Sequence, residues 1–383
     1  MQSVRIAHVV SSYHPQVGGV EMHVRRIVEG CNAAGDEITV LTHTSGKHLV
    51  QESVNSIRVL RFPLAVRSPN YAFSPALFRY LPEHADEFDL VHSHSYHTLV
   101  GQAAMRTRLP MIFTPHYHGT GHTPFRAALH RVYRPIGARL FVAAQAIICV
   151  SAAERDLLVR DFPGAARKIT VIPNGTDRRS RLVEPEGGVS TVSTAPVDRV
   201  VLTVGRLEPY KNLALVIKAF RALRVPGTLV IVGDGPDRMR LEQLAEDTRP
   251  GWPIRFTGRI SDQELDGLLS RSAVVTSASD HEAFGLMLAD GLATGARVVA
   301  SDIPAHREVG RLAGSDAPIS FIDPRNANQY ATAMESALSG NRVEAGLVRL
   351  PTWAEVVDET RELYARVKPI LRDDNKVVRE DSL

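Results

Sequence analysis

Short apolar runs alternating with helix-period stretches constrain this chain most, because that rhythm is the signature of βαβ units and a parallel sheet. In the first half, residues 4–10, 38–41, 57–62, 90–92, 111–114 and 146–150 read as strands. A helix is expected over 18–30, with Val20, Val24, Ile27 and Val28 on one face. Ser151 with Glu154 three residues on reads as a capping box opening another helix. Residues 176–198 break the rhythm with Glu-Pro-Glu-Gly-Gly and an aperiodic run of Ser, Thr, Val and Pro, the best linker in the chain. The pattern then restarts, with strands over 200–204, 228–232, 254–257, 273–276, 297–300 and 319–322 and helices over 212–223 and 238–246. A length of 383 residues suits two such cores better than one. The expectation is two consecutive α/β domains with a cleft between them. Ligands of such sheets bind at the carboxyl ends of the strands, so the loops there are where chemistry is sought.

Composition removes several alternatives. With 44% hydrophobic and 23% charged residues the chain is neither disordered nor collagen-like nor a coiled coil. Cys31 and Cys149 are the two cysteines, too few for a disulfide framework, which favours a reducing compartment. Met1-Gln2-Ser3-Val4-Arg5 runs straight into a strand pattern without a leader signature, and the longest apolar run, 140–150, is about half of what a bilayer span needs. A cytoplasmic location is expected. Charge is split: residues 1–180 hold 20 Lys/Arg against 13 Asp/Glu, and the remainder 25 against 29. The first half therefore suits an anionic partner or surface, although ordinary scatter of solvated charge explains the split equally well. No nucleic-acid partner is expected.

Five loops carry candidate chemistry. Gly18-Gly19-Val20-Glu21 opens a helix where backbone N–H groups favour an anion, but a tight strand-to-helix turn accounts for it too. The chain shows neither the dinucleotide fingerprint nor a Walker lysine there. Gly205-Arg206-Leu207 with Lys211-Asn212 places two cations five residues apart after a strand, one a fork for phosphate oxygens and one a mobile point charge. Such a pair suits a diphosphate leaving group; a solvated pair is the plainer alternative. Gly233-Asp234-Gly235-Pro236 is a tight turn, more structural than ligand-binding. Glu282 precedes a helix and Asp290 lies eight residues on, near 800° of rotation at roughly 3.6 residues per turn, which puts the two carboxylates within about 80° of each other. The pair offers carboxylates to sugar or ribose hydroxyls, with an N-capping Glu and a surface Asp as the alternative. Thr114-Pro115-His116-Tyr117-His118-Gly119 ends a strand, where His116 can reach a sugar hydroxyl. His116 and His118 could also join His92, His94 or His97 on a metal, but no Cys or Asp completes that set. No metal and no cofactor are expected.

Taken in order, these segments resemble family 4 of the retaining glycosyltransferases, enzymes of GT-B architecture. The likeness covers nearly the whole chain: residues 13–21, His116, Val150-Ser151 and Ile172-Pro173-Asn174-Gly175, then Gly205-Arg206-Leu207, Lys211-Asn212, Gly233-Asp234-Gly235-Pro236, Phe256-Thr257-Gly258 and Glu282-Ala283-Phe284-Gly285. The resemblance implies a first Rossmann-like domain on the acceptor side (1–180), a linker (181–198) and a donor domain (199–367). It also implies a last helix, about 368–383, that packs back on the first domain. It places Gly18 and Gly19 at the donor phosphates and His116 beside the transferred sugar. Arg206 and Lys211, after Gly205, would hold the diphosphate, and Arg259 and Ile260 the nucleobase. Glu282 would bind donor-sugar hydroxyls with the Phe284, Gly285 and Leu286 backbone close behind, and Asn174 belongs to the same donor site. The family places a second glutamate against the ribose where this chain has Asp290, one methylene shorter.

The implied reaction is transfer of a sugar from a nucleotide-diphosphate donor to an acceptor hydroxyl, retaining the anomeric configuration by front-face attack. UDP is the expected nucleotide, with GDP second. No carboxylate pair with double-displacement spacing is evident. An epimerase or a phosphorylase on the same architecture is the nearest rival, and a two-lobed sugar- or nucleotide-binding protein a more distant one. The acceptor is open among small molecule, lipid-linked sugar and glycan. A basic stretch from Arg126 to Arg139 (with His130, Arg131 and Arg134) is a candidate for peripheral contact with anionic membrane at its inner face, or equally a solvated helix.

Overall fold

The computed structural model of the chain describes residues 3–16, 18–66, 72–119, 124–177, 199–246, 252–344 and 348–368, with 124–129 as backbone only. The expected linker lies outside the described residues. Two compact units result, one holding the chain up to Asn174 together with the chain from Trp353 on, the other Gly175–Thr352.

The first unit is built on an eight-stranded sheet in the order β3-β4-β2-β1-β5-β6-β7-β8. Its strands are β1 (Arg5–Val9), β2 (Glu37–Thr44), β3 (Val50–Val54), β4 (Ile57–Pro63), β5 (Leu90–His94), β6 (Met111–Thr114), β7 (Ala146–Cys149) and β8 (Ile169–Val171). The apolar runs expected as strands are all here, because strands buried on both faces read as unbroken hydrophobic segments. Two strands are additions. β3 pairs antiparallel with β4 across Asn55 and Ser56, both at positive φ, as a two-residue hairpin turn with the sheet's own twist demands. Its half-polar sequence, Val-Gln-Glu-Ser-Val, befits an exposed edge strand and gives no apolar signal. β8 is only three residues long.

Helix α1 (Gly19–Ala33) buries His23, Val24, Ile27, Val28 and Cys31 on one face. The Ser151 hydroxyl caps the helix Ala152–Asp161, accepting from the Glu154 N–H at 2.9 Å. The other half of the expected box differs. The buried Glu154 carboxylate accepts from the backbone N–H groups of Val150 (2.7 Å) and Tyr117, which ties the end of β7 to the loop after β6.

The crossing back to the first unit comes earlier than expected. The helix Trp353–Val367 packs on α1 rather than on the second unit. A Cβ on Gly30 would meet Val357 at 2.4 Å, so this glycine allows the close approach. Arg361 donates to the buried Asp36 at 2.7 Å, and the Tyr364 hydroxyl meets His92 Nδ1 at 2.7 Å. Only Lys368 of the expected closing helix 368–383 is described; the rest lies outside the described residues.

The second unit carries a six-stranded parallel sheet, ordered β11-β10-β9-β12-β13-β14. These are β9 (Val200–Val204), β10 (Thr228–Val232), β11 (Ile254–Gly258), β12 (Val274–Ser277), β13 (Arg297–Ser301) and β14 (Ile319–Ile322). In both sheets the strand order reverses once beside the first strand of the unit: at β1 between β2 and β5, and at β9 between β10 and β12. A crevice for ligand opens at such switch points.

Candidate active site

At the switch point of the second unit, the loops after β9 and β12 meet. After β9, Gly205 donates its N–H to Val232 O (3.0 Å) and Leu207 to Asp234 O (3.1 Å), so the Gly233-Asp234-Gly235-Pro236 turn buttresses the Gly205-Arg206-Leu207 turn. Gly233 has φ +127, and a Cβ there would fall 1.9 Å from Gly205 O, so no other residue fits. The Arg206 side chain is 61% exposed, and its guanidinium pairs with Glu208 at 2.7 Å. A 3-10 turn, Pro209–Lys211, then delivers Lys211 before the helix Leu213–Arg221.

Lys211 Nζ donates to Glu282 Oε1, which also accepts from Ser279 Oγ at 2.8 Å; both charged side chains are only 19% exposed. Burial opposes charge on each. For Lys211 the Glu282 carboxylate outweighs it and raises the ammonium above its usual range. For Glu282, Lys211, the neighbouring His306 and Ser279 outweigh burial and hold the carboxyl below its usual range. The pair is therefore ionised, a charge-assisted hydrogen bond poised at the strand ends. Thr203, Gly205, Arg206, Lys211, Ser277 and Ser279 line the adjoining cleft.

The helix-wheel relation between Glu282 and Asp290 does not hold. The helix starts only at Leu286, after Gly285 in the left-handed region at φ +118, so Glu282 belongs to the preceding loop. Asp290 accepts instead from the Thr176 hydroxyl at 2.6 Å. Phe284 is buried beneath the turn. His306, not expected from the sequence, stands behind it: its Nδ1 faces Ser301 at 3.0 Å and its Cδ2 lies 3.2 Å from where a Gly285 Cβ would be. Arg259 (exposed) and Ile260 (half-buried) follow β11, two strands away from β9.

The switch point of the first unit is built from neutral rings instead. His8 on β1, His92 and His94 on β5, His23 on α1 and His116 after β6 are all buried. Burial, reinforced for most by neighbouring imidazoles, depresses their pKa values: His8 to about 3, His23 to about 4, and His92, His94 and His116 well below the usual histidine range. His116 has a left-handed backbone, φ +47, uncommon for a side chain of its size. Asn174 is drawn into this cluster, its Oδ1 2.7 Å from His23 Nδ1. Gly18 is extended and caps α1, with the Glu21 carboxylate folded back beside it onto Ser12. His97 and His118 stack on each other at 4.5 Å, apart from the buried five.

A family model described as Glycosyltransferase Family 4 matches residues 17–180, and one described as Glycosyl transferases group 1 matches 193–347. The chain belongs to glycosyltransferase family 4. Among curated proteins, this glycosyltransferase is 29% identical to the glycogen synthase of Mycobacterium tuberculosis over 95% of both chains. It is also 29% identical to the phosphatidyl-myo-inositol mannosyltransferase of Mycolicibacterium smegmatis, over 86% of this chain and 84% of that one. Among solved structures, Anabaena Alr3699/HepE superposes with a TM-score of 0.71 at 18% identity, covering 94% of this chain and 99% of that one. The lipopolysaccharide glycosyltransferase WaaG gives 0.64 at 16%, covering 93% and 95%. These likenesses establish the GT-B fold.

Proposed function

We propose that this glycosyltransferase moves a hexose-type sugar from a nucleoside-diphosphate sugar to an acceptor hydroxyl with retention, using Lys211 and Arg206 on the diphosphate and Glu282 on the sugar. The ionised Lys211–Glu282 pair at the strand ends of the second unit carries this reading. In it, each partner holds the other's charge until the donor arrives. Phosphate oxygens then give the ammonium a second anionic neighbour, and the carboxylate accepts sugar hydroxyls. As the glycosidic bond breaks, negative charge grows on the diphosphate, and a preoriented cation in a half-dry site stabilises that charge more than it stabilises the ground state. No resident metal is required on the diphosphate, since the two side chains supply the cations. Arg259 and Ile260 would meet the base, Asp290 the ribose, and the Gly285-Leu286 backbone the phosphates. In the first unit, His116 would meet a sugar hydroxyl and the Gly18-Gly19 turn an anion.

A UDP-sugar is the favoured donor. Alr3699/HepE is described in complex with UDP and glucose and with UDP-glucose. A GDP-sugar comes second, since one curated relative, 27% identical, is described as GDP-mannose-dependent. For the acceptor we propose a lipid-linked or glycan hydroxyl. The helix Pro124–Ala143 exposes Val132 (72%), Ile136 (42%) and Val142 (77%) among exposed Arg131, Arg134 and Arg139, a basic and apolar face suited to anionic headgroups. No helix among the described residues is long and apolar enough to cross a membrane. A thermal-shift screen of UDP-, GDP- and ADP-sugars tests the donor, because a ligand bound only by the native state raises the melting temperature. Anomeric coupling in the product spectrum then tests retention, and an inverted product would sink that mechanism.

A further inference from the structure

The five buried histidines leave an unusual remainder. His23 Nε2, His94 Nδ1 and His116 Nε2 are buried and have no hydrogen-bond partner among the described residues. These three side chains also form a group whose ligand atoms all lie within 4.8 Å of one another. A second such group, His8, His92 and His94, has its hydrogen-bonding capacity largely spent: His8 Nδ1 faces His94 Nε2 (3.1 Å), and His92 faces Tyr364 and Thr114. Polar atoms buried without partners cost free energy, and three of them converging call for a common partner. We propose that His23, His94 and His116 form a tri-histidine site for a divalent transition-metal ion of the zinc type.

The surrounding contacts orient the set as metal-binding imidazoles are usually oriented, through the other ring nitrogen. Asn174 Oδ1 accepts from His23 Nδ1–H, which leaves the lone pair on Nε2. A relay does the same for His94. His92 Nε2–H donates to Thr114 Oγ1, the Tyr364 hydroxyl to His92 Nδ1, His8 Nε2–H to the Tyr364 oxygen at 3.5 Å, and His94 Nε2–H to His8 Nδ1. Every member of the relay is neutral, and the lone pair of His94 is left on Nδ1, the atom without a partner among the described residues. The relay can also run in reverse, placing a proton on that atom; metal binding selects the first direction. Zinc bonds nitrogen at about 2.0–2.1 Å in a tetrahedron, so closing the set takes shifts on the order of 1 Å. His116, the least buried ligand at 8%, leaves the fourth position for water or an oxygen anion. The ion would staple α1, β5 and the loop after β6. The site shares His116 with the sugar contact proposed above, so a bound ion would hold the imidazole nitrogen that otherwise meets the sugar; it does not depend on the Lys211 and Arg206 chemistry.

The test uses the full-length chain without a histidine tag, stripped with chelator and titrated with Co(II), then with Zn(II) in competition. One Co(II) per chain with an intense tetrahedral visible band, displaced by Zn(II), is expected, together with a higher melting temperature. His23→Gln and His116→Gln should each abolish the band, Asn174→Ala should weaken binding 10- to 100-fold, and the control His84→Gln, at a half-buried histidine stacked on Tyr80 outside the cluster, should leave the band unchanged. Binding that persists in both ligand variants, or a wild-type chain that takes up no Co(II) at micromolar concentration, overturns the site. Should the variants misfold, the wild type still decides. Imidazole 15N spectra must shift on zinc addition at His23 Nε2, His94 Nδ1 and His116 Nε2, and unchanged resonances refute the proposal.

Discussion

The two units solve one problem in opposite ways. Each is a parallel sheet whose order reverses beside its first strand, and each sets polar side chains at that switch point. In the second unit they are a charged pair, Lys211 and Glu282, half-dry and mutually neutralising. In the first they are uncharged imidazoles, hydrogen-bonded to one another and to Tyr364, Thr114 and Asn174. The strand ends fix where a site can be; the residues placed there decide whether it offers charge or neutral donors and acceptors.

If the charge sits in the second unit alone, removing it should hurt most. We expect Lys211→Ala to lower kcat/KM by about 10²–10³-fold, the range for losing one preorganised donor to developing charge. It would also leave Glu282 buried without its cation. His116→Ala should cost less, and equal losses in steady-state assays would erase the distinction between the units.

The units should also part under acid. An imidazole buried neutral in the folded chain takes up a proton freely once unfolded. Stability is therefore highest above the ordinary histidine pKa of 6.5 and falls as pH drops toward the depressed folded value. For His23, between 6.5 and about 4, that is roughly 3 kcal/mol at about 1.4 kcal/mol per pH unit. Glu282, held low, keeps its contribution until pH falls below the ordinary carboxylate range. Hydrogen exchange read by mass spectrometry across pH 7 to 4.5 should show β1 and β5 losing protection before β9 and β12. Simultaneous loss, or the reverse order, contradicts the electrostatic contrast.

Backbone strain offers a smaller probe. Gly233→Ala forces a Cβ against Gly205 O. A cost of about 1–3 kcal/mol is expected, read as a lower melting temperature with a raised donor KM. Gly119→Ala in the first unit meets nothing closer than 3.7 Å at φ +91. It should lower the melting temperature by strain alone and leave the donor KM unchanged.

What the sequence revealed divides along the same line. The sheets and the Arg206, Lys211 and Glu282 loops were legible because buried parallel strands are apolar runs and because cations and carboxylates stand out at their ends. The histidine cluster was legible only in part. His92, His94 and His116 stood out at strand ends, but His8 lies 86 residues from His94 and His23 lies 151 from Asn174, so no local spacing announces those two, and His97 and His118, named beside the others, stack on each other instead. Glu282 and Asp290 misled in the other direction: a helical period was assumed across Gly285, whose left-handed backbone starts the helix only afterwards. The crossing at Trp353 was hidden because its helix is amphipathic and would suit either core.

Asp290 tests whether the second unit's acidic segment is one functional carboxylate or two. The Thr176 hydroxyl already holds Asp290 Oδ1 at 2.6 Å, so a ribose hydroxyl would share this carboxylate with Thr176. Thr176→Val should then cost about 1 kcal/mol of stability through the lost hydrogen bond and shift the donor KM only slightly. Asp290→Ala should raise that KM about tenfold, the equivalent of about 1.4 kcal/mol. Asp290→Glu, which supplies the glutamate that the family places here, should bind donor within about threefold of wild type, since charge and acceptor atoms survive and one methylene is added. If Asp290→Ala lowers only the melting temperature, Asp290 is an anchor for Thr176. Glu282 is then the single carboxylate that the proposed donor site of the second unit uses.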